Sequence, residues 1–231
     1  MAYDIKNNKK YGILLKEKFG LERLPVAVKF VKTETDVPAD IPKIDEMLRH
    51  CEMITKAAEG EIFYSTDKEQ KCKGGAGAIC INQEPVPEKI LTGEFYYNLG
   101  RFESKEAGKE VADRLPKLEE FNEAIIYAPL EKAEFEPDAL IIIAKPLQGM
   151  KISQAIVFKD QPRVTADFSG IQSLCADAVA RPILTKTPNI TLACDGSRNY
   201  AGVKEDELII GFAKENIDGL MDAVKSLYKE E

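Results

Sequence analysis

Five cysteines are the residues of this chain whose type and spacing could do chemistry. Cys51 and Cys175 each fall on the apolar stripe of a predicted helix, and Cys72 and Cys194 each come just before a glycine-containing turn. The separation from helix cysteine to turn cysteine is similar in the two cases, 21 and 19 residues. This recurrence predicts two similarly built segments whose four thiols converge at one site, and we refer to these residues as the four-cysteine set.

Four convergent thiolates suit either Zn(II) or an iron–sulfur cluster, because both prefer soft sulfur ligands. The tight C-x2-C pairs of isolated zinc sites are absent from the sequence. Wide spacing with glycines beside the ligands favours a cluster, since backbone N–H groups in an open turn can donate hydrogen bonds to its sulfides. We therefore expect an iron–sulfur cofactor, of the 4Fe–4S type, with Cys80 outside the ligand set. The alternative is that the thiols are buried as small core hydrophobes.

A second hypothesis uses the residues that follow the two turn cysteines. Gly74, Gly75, Gly196 and Arg198 could hold a small anionic ligand in the cleft between the halves, in a binding protein or enzyme with structural cysteines. The glycine run lacks the Lys-Ser/Thr ending of a P-loop and the GxGxxG fingerprint of dinucleotide sites, which favours a close-packed turn. A third hypothesis is an interaction module with buried thiols. His50 is the one histidine of the chain, and we expect it to face solvent.

Composition and charge exclude several classes of function. Of the 231 residues, 44% are hydrophobic and 31% are charged, as in a globular protein. The net charge of −7 argues against binding to nucleic acid or to an anionic membrane, because both need a dense basic surface. There is neither an apolar run of about 20 residues nor an apolar signal core. We therefore expect a cytoplasmic protein, whose reducing surroundings disfavour structural disulfides. A homo-oligomer is compatible with the sequence, which does not fix its order.

Apolar periodicity predicts the elements that must position the cysteines. It predicts strands over 26–30, 61–65, 124–127, 139–144, 163–168, 189–193 and 207–212, and helices over 9–21, 42–60, 103–120, 150–156, 171–179 and 217–228. Residues 139–144 are apolar on both faces, which is typical of a central strand. Residues 85–102 are interpreted as a mixed loop. The fold class is mixed α/β (α+β): one domain, 1–231, built from two pseudo-related halves, 1–120 and 121–231, with a mixed sheet covered by helices.

Several longer motifs carry a resemblance to a known family. They are CEMI at Cys51, CKGGAGA at Cys72, PDALIIIAKPLQGMKISQA from Pro137, LCADAVARP at Cys175 and ACDGSRNYAG at Cys194. With these motifs, from LPVAVKF to DELIIGF, the chain resembles the domain of unknown function 169 family of archaea and anaerobic bacteria. The resemblance implies cysteines at all positions of the four-cysteine set, with an apolar residue usual at Cys80. It implies an important site without naming its occupant. In an anaerobe we expect electron transfer, assembly or sensing, with a redox partner protein or a small anionic ligand.

Overall fold

The computed structural model describes residues 3–159 and 161–228 and confirms the mixed α/β class. The strands are β1 (Val26–Val31), β2 (Phe63–Ser65), β3 (Ala124–Pro129), β4 (Ala139–Ala144), β5 (Asn189–Thr191) and β6 (Leu208–Ala213). The helices are α1 (Asn8–Phe19), α2 (His50–Ala58), α3 (Lys73–Ala78), α4 (Glu88–Leu91), α5 (Glu94–Asn98), α6 (Lys105–Arg114), α7 (Pro146–Ile156), a π-helix (Ser173–Ala180), α8 (Arg181–Thr185), α9 (Asp195–Tyr200) and α10 (Lys214–Leu227).

The six strands form one sheet in the order β2-β3-β1-β4-β6-β5. If β1, β2 and β3 are exchanged for β4, β5 and β6 respectively, the same order results, read from the opposite edge of the sheet. The registers also correspond, since Val26 opposes Pro129 in the β1–β3 pair and Ala139 opposes Ala213 in the β4–β6 pair. This symmetry supports two pseudo-related halves joined through β1 and β4, although the division at residue 120 stays a prediction.

Every pairing of the named strands is antiparallel, whereas we expected a mixed sheet. Runs that are apolar on both faces are typical of parallel sheets, which helices cover on both sides. Here helices cover both sides of an antiparallel sheet, so the same pattern arises without parallel strands. In the central strand β4, Ile141 and Ile143 pack towards α2 and the π-helix, whereas Leu140 and Ile142 pack towards α1, α7 and α10.

Helix α2 begins at His50, eight residues later than the start that periodicity predicts. Residues 43 and 48 instead make single bridge contacts with residues 64 and 70, beside β2. The pairing with a neighbouring strand therefore overrides the helical pattern in this segment. As a result, Cys51 lies in the first turn of α2 rather than in its middle.

Three other segments differ from their predictions. The glycine run after Cys72 is the short helix α3 rather than a turn, and the predicted mixed loop contains α4 and α5. The predicted strand over 163–168 is reduced to one bridge between Thr165 and Asn189. Among residues 3–159 and 161–228, no helix has the length and apolar character needed to cross a membrane.

Candidate metal centre

The four-cysteine set lines one cavity of about 330 Å³. Cys51 comes from α2, Cys175 comes from the π-helix, and Cys72 and Cys194 directly precede α3 and α9. Each half of the chain thus contributes one thiol from within a helix and one from a position just before a short helix. Cys80 is not part of the cavity wall. The structure therefore places around one cavity the same four thiols that the sequence spacing predicts to converge. The fifth thiol, that of Cys80, lies outside this cavity wall.

Cys72 and Cys175 meet at Gly75, across the boundary between the halves. A Cβ atom on Gly75 would lie 3.5 Å from the Cys72 Sγ and 3.4 Å from the Cys175 Sγ. The backbone N–H of Gly75 also donates a hydrogen bond to the Cys72 Sγ at 3.4 Å. A residue without a side chain therefore leaves open the space that the two sulfur atoms share.

Cys194 and Cys175 also make local hydrogen-bond contacts. The Cys194 N–H donates to the Ser197 Oγ at 2.9 Å, and the Cys194 Sγ lies 3.4 Å from the same oxygen. Cys51 lies in the first turn of α2, directly after His50. In the π-helix, the Cys175 Sγ donates to the backbone carbonyl of Gln172 at 3.3 Å.

Burial and mutual repulsion keep two of these thiols protonated in the absence of a cation. Burial raises the pKa of Cys51 to about 12, and the neighbouring sulfur atoms of Cys194 and Cys72 add to the rise. Burial also raises the pKa of Cys175 well above its ordinary value, again with contributions from the other three members of the set. A metal centre supplies the positive charge that such thiols lack and displaces their protons.

A single metal ion and an iron–sulfur cluster need different spacings of their thiolate ligands. Thiolates around one zinc ion stand about 3.8 Å apart, given Zn–S bonds of about 2.3 Å in a tetrahedron. Within the described residues 3–159 and 161–228, no three His, Cys, Asp or Glu side chains are grouped so as to hold one metal ion. In a 4Fe–4S cluster each cysteine binds a different iron atom, so its ligands are more widely spaced.

A glycine allows the π-helix that carries Cys175 to pack closely against the sheet. A Cβ atom on Gly211, in β6, would lie 1.8 Å from the backbone oxygen of Ala178, so only glycine allows this approach. Directly before the π-helix, Gln172 takes a φ of 52°, a left-handed conformation that is unfavourable for a residue with a side chain. π-Helices and backbone strain are both frequent at functional sites.

His50 is buried, and the expectation that it faces solvent was wrong. Its side chain reaches the sheet below α2, where Nδ1 lies 2.8 Å from the hydroxyl of Tyr127. Burial lowers the pKa of His50 to about 3, which keeps the imidazole neutral. His50 and Ser173 both line the cavity, and each has a buried polar atom without a hydrogen-bond partner, Nε2 and Oγ respectively.

The residues of the anionic-ligand hypothesis are divided between the cavity and its surroundings. Gly75 and Gly196 lie in the cavity wall, but Gly74 and Arg198 do not. The guanidinium of Arg198 donates to the backbone carbonyls of Leu192 and Lys204 at 2.6 and 2.5 Å. These hydrogen bonds occupy the guanidinium of Arg198, which therefore links the loops on either side of α9.

Sequence reasoning missed several residues of the cavity wall. Arg49, Arg101 and Tyr200 line it, and so do Phe95, Tyr96, Leu99 and Gln172. Arg49 stacks on the ring of Tyr200, with the guanidinium carbon 3.6 Å from the ring centroid, and Arg101 pairs with Asp195 at 2.6 Å. Both contacts join the two halves of the chain. Their residues lie far apart in sequence and share no periodicity, so no pattern could have identified them.

The fold and the cavity define a mixed α/β protein of symmetric strand order, with four thiols from two halves around one space. The chain belongs to the DUF169 family, described as "Uncharacterised ArCR", whose family model matches residues 14–223. It is 43% identical over 212 residues to an uncharacterised protein of Methanocaldococcus jannaschii, and the alignment covers 91% of each chain. No solved structure is significantly similar to it. These findings confirm the resemblance seen in the motifs.

Proposed function

We propose that this protein is a cytoplasmic iron–sulfur protein in which the four-cysteine set binds one cluster of the 4Fe–4S type. The observation that carries the proposal is the single cavity lined by all four thiols, two from each half of the chain. The four soft donors, and their wide spacing along the chain, support a cluster over a single ion. The net charge of −7 is consistent with a role that does not involve nucleic acid.

A bound cluster would supply the ability to accept and release one electron. The protein's own part is to fix the four sulfur atoms and to limit the access of water. Tyr96, which is 7% exposed, and the stacked pair of Arg49 and Tyr200 form part of the wall around the thiols. We infer electron transfer with a redox partner protein, or sensing of the redox state, as the role of the site.

The test is purification of the protein under anaerobic conditions, with quantitation of iron and acid-labile sulfide and a visible spectrum. Separate Ser substitutions at the four positions, such as Cys51→Ser and Cys175→Ser, are expected to lower the iron content and the thermal midpoint together. Each substitution removes a thiolate that compensates the charge of the metal centre. Cys80→Ser is the matched control and is expected to leave both quantities unchanged.

Two results would contradict the proposal. One is a colourless, iron-free protein of undiminished stability, which would favour buried structural thiols. The other is stoichiometric zinc without sulfide, which would favour a mononuclear site. An equal loss of iron in Cys80→Ser would show that the ligand set is wrong.

The binding of a small anionic ligand stays a hypothesis for the same cavity. Arg49 and Arg101 supply positive charge to its wall, in place of Arg198. Each of them already has an acidic partner, Glu52 at 2.9 Å and Asp195 at 2.6 Å. These pairs reduce the positive charge available to a ligand, so the cluster is the better supported occupant.

A further inference from the structure

Two residues of the cavity wall each have a buried hydrogen-bonding atom that has no partner in the described part of the chain. His50 is 2% exposed and Ser173 is fully buried, and the His50 Nε2 and Ser173 Oγ have no partner among residues 3–159 and 161–228. A buried polar group without a partner destabilises a folded protein, so such groups are rare in the absence of a specific role. Both residues lie close in sequence to members of the four-cysteine set, His50 next to Cys51 and Ser173 two residues before Cys175.

The hydrogen bonds of Tyr127 determine which His50 nitrogen carries the proton. The Tyr127 hydroxyl oxygen accepts from the Gln70 Nε2 at 3.5 Å. With its oxygen already accepting, this hydroxyl has its proton available to donate to the His50 Nδ1, 2.8 Å away. A neutral imidazole with an accepting Nδ1 has its proton on Nε2. The unpartnered nitrogen of His50 is therefore a donor, held in place by a residue of β3.

Ser173 supplies the second donor from the other half of the chain. It is the first residue of the π-helix and belongs to the wall of the same cavity as the thiols, with its hydroxyl oxygen buried. Gln172, the residue before it, also has a buried unpartnered atom, Oε1, but this atom is an acceptor. The two donors and the acceptor thus need different partners.

We propose that His50 Nε2–H and Ser173 Oγ–H donate hydrogen bonds to sulfur atoms of the cluster and its thiolate ligands and so raise the reduction potential of the site. This inference rests on the proposed function. The sulfides and thiolates of a cluster are acceptors only, so they match the two donors and not the Gln172 Oε1. Reduction adds one electron, supplied by the redox partner, and concentrates negative charge on these sulfur atoms. Hydrogen bonds donated to the sulfur atoms therefore stabilise the reduced state more than the oxidised state.

The test is a redox titration of the cluster-loaded protein with dithionite as the reductant, followed by its visible and electron paramagnetic resonance spectra. Ser173→Ala and His50→Leu each remove one donor, and both are expected to shift the midpoint potential to more negative values. His50→Gln places an amide N–H near the position of Nε2 and is expected to restore part of the shift. Ser153→Ala is the matched control, because Ser153 lies in α7 on the opposite face of the sheet and donates to the Gly149 carbonyl at 2.8 Å.

A second readout is independent of the potential. Electron–nuclear double resonance of the reduced wild-type cluster is expected to show couplings to exchangeable protons, and Ser173→Ala and His50→Leu should each lose one of them. Unchanged potentials and couplings in both variants, at full iron content, would overturn the inference and leave the proposed function intact. A wild-type protein without iron would overturn both. If His50→Leu fails to fold, Ser173→Ala alone decides, since it removes only a hydroxyl.

Discussion

The sulfur atoms of Cys72 and Cys175, from opposite halves of the chain, border one methyl-sized space beside Gly75, at 3.5 and 3.4 Å from its centre. The space is open because α3 places a glycine at this position. The meeting of the halves at this point follows from the symmetric sheet, because α2 and α3 of the first half and the π-helix of the second half lie on the same face. The site therefore depends on the sheet as a whole and not on a local motif.

Gly75→Ala is expected to change metal binding and the stability of the metal-free protein in opposite directions. Alanine favours a helix over glycine by up to about 1 kcal/mol, so the free energy of unfolding of the metal-free protein should rise by a similar amount. The added methyl group would occupy the space between the two sulfur atoms, so the iron content should fall. Iron quantitation and urea unfolding of the same preparation check both expectations.

Gly219→Ala, in α10, is the control for this change. A Cβ atom at Gly219 meets nothing within 4 Å, so this variant should gain stability in the same way and keep its iron. If Gly75→Ala retained full iron content, the shared space would have no role in binding the centre.

Much of the fold could be predicted because the burial of a strand determines which residue types occur in it. The Ile-rich run Ala139–Ala144 is apolar on both faces, and the structure buries all of it in the middle of the sheet. The grouping of the four cysteines was also accessible, since the two halves repeat the same order of elements. Residues 42–49 were less predictable, because bridges to β2 and to the segment after it replace the helix that their periodicity indicates.

Parts of the site depend on contacts that leave no local pattern. The burial of His50 follows from Tyr127, which lies 77 residues away along the chain. The position of the π-helix follows from the approach of Ala178 to Gly211, and a single glycine in an apolar strand does not reveal its neighbour. Such long-range packing is decided by tertiary structure and overrides local propensity.

Asp177 gives the stability of the protein a specific pH dependence. It is 2% exposed, accepts a hydrogen bond from the Thr191 hydroxyl at 3.1 Å, and has a pKa that burial raises from 3.8 to about 7. The folded protein therefore holds this proton more tightly than the unfolded chain. The free energy of unfolding should fall by a few kcal/mol as the pH rises from about 4 to about 7, and the contribution of Asp177 should be constant above that range.

Asp177→Asn should remove this part of the pH dependence, because the amide does not ionise. Urea unfolding at pH 5 and pH 8 is expected to show a smaller loss of stability for the variant than for the wild type. Asp222→Asn, at a carboxylate side chain that is 80% exposed, is the control and should behave as the wild type does. An equal loss of stability in the wild type and Asp177→Asn would assign the pH dependence to other groups.

The stack of Arg49 on Tyr200 is expected to slow the loss of metal from the cavity. Tyr200 is 57% exposed yet lines the cavity, and its ring holds the Arg49 guanidinium 3.6 Å from its centroid, so the pair lies at the mouth and joins the two halves. Tyr200→Leu removes the aromatic face and should reduce stability by about 0.5–1 kcal/mol. It should also raise the rate at which a chelator removes iron from the loaded protein, measured as the decay of the visible absorbance.

Tyr97→Leu is the control for this change, because it alters another exposed tyrosine that lies outside the cavity wall, and it should leave the rate of iron removal unaltered. Equal rates for Tyr200→Leu and the wild type would show that metal leaves the cavity by a route that this pair does not control.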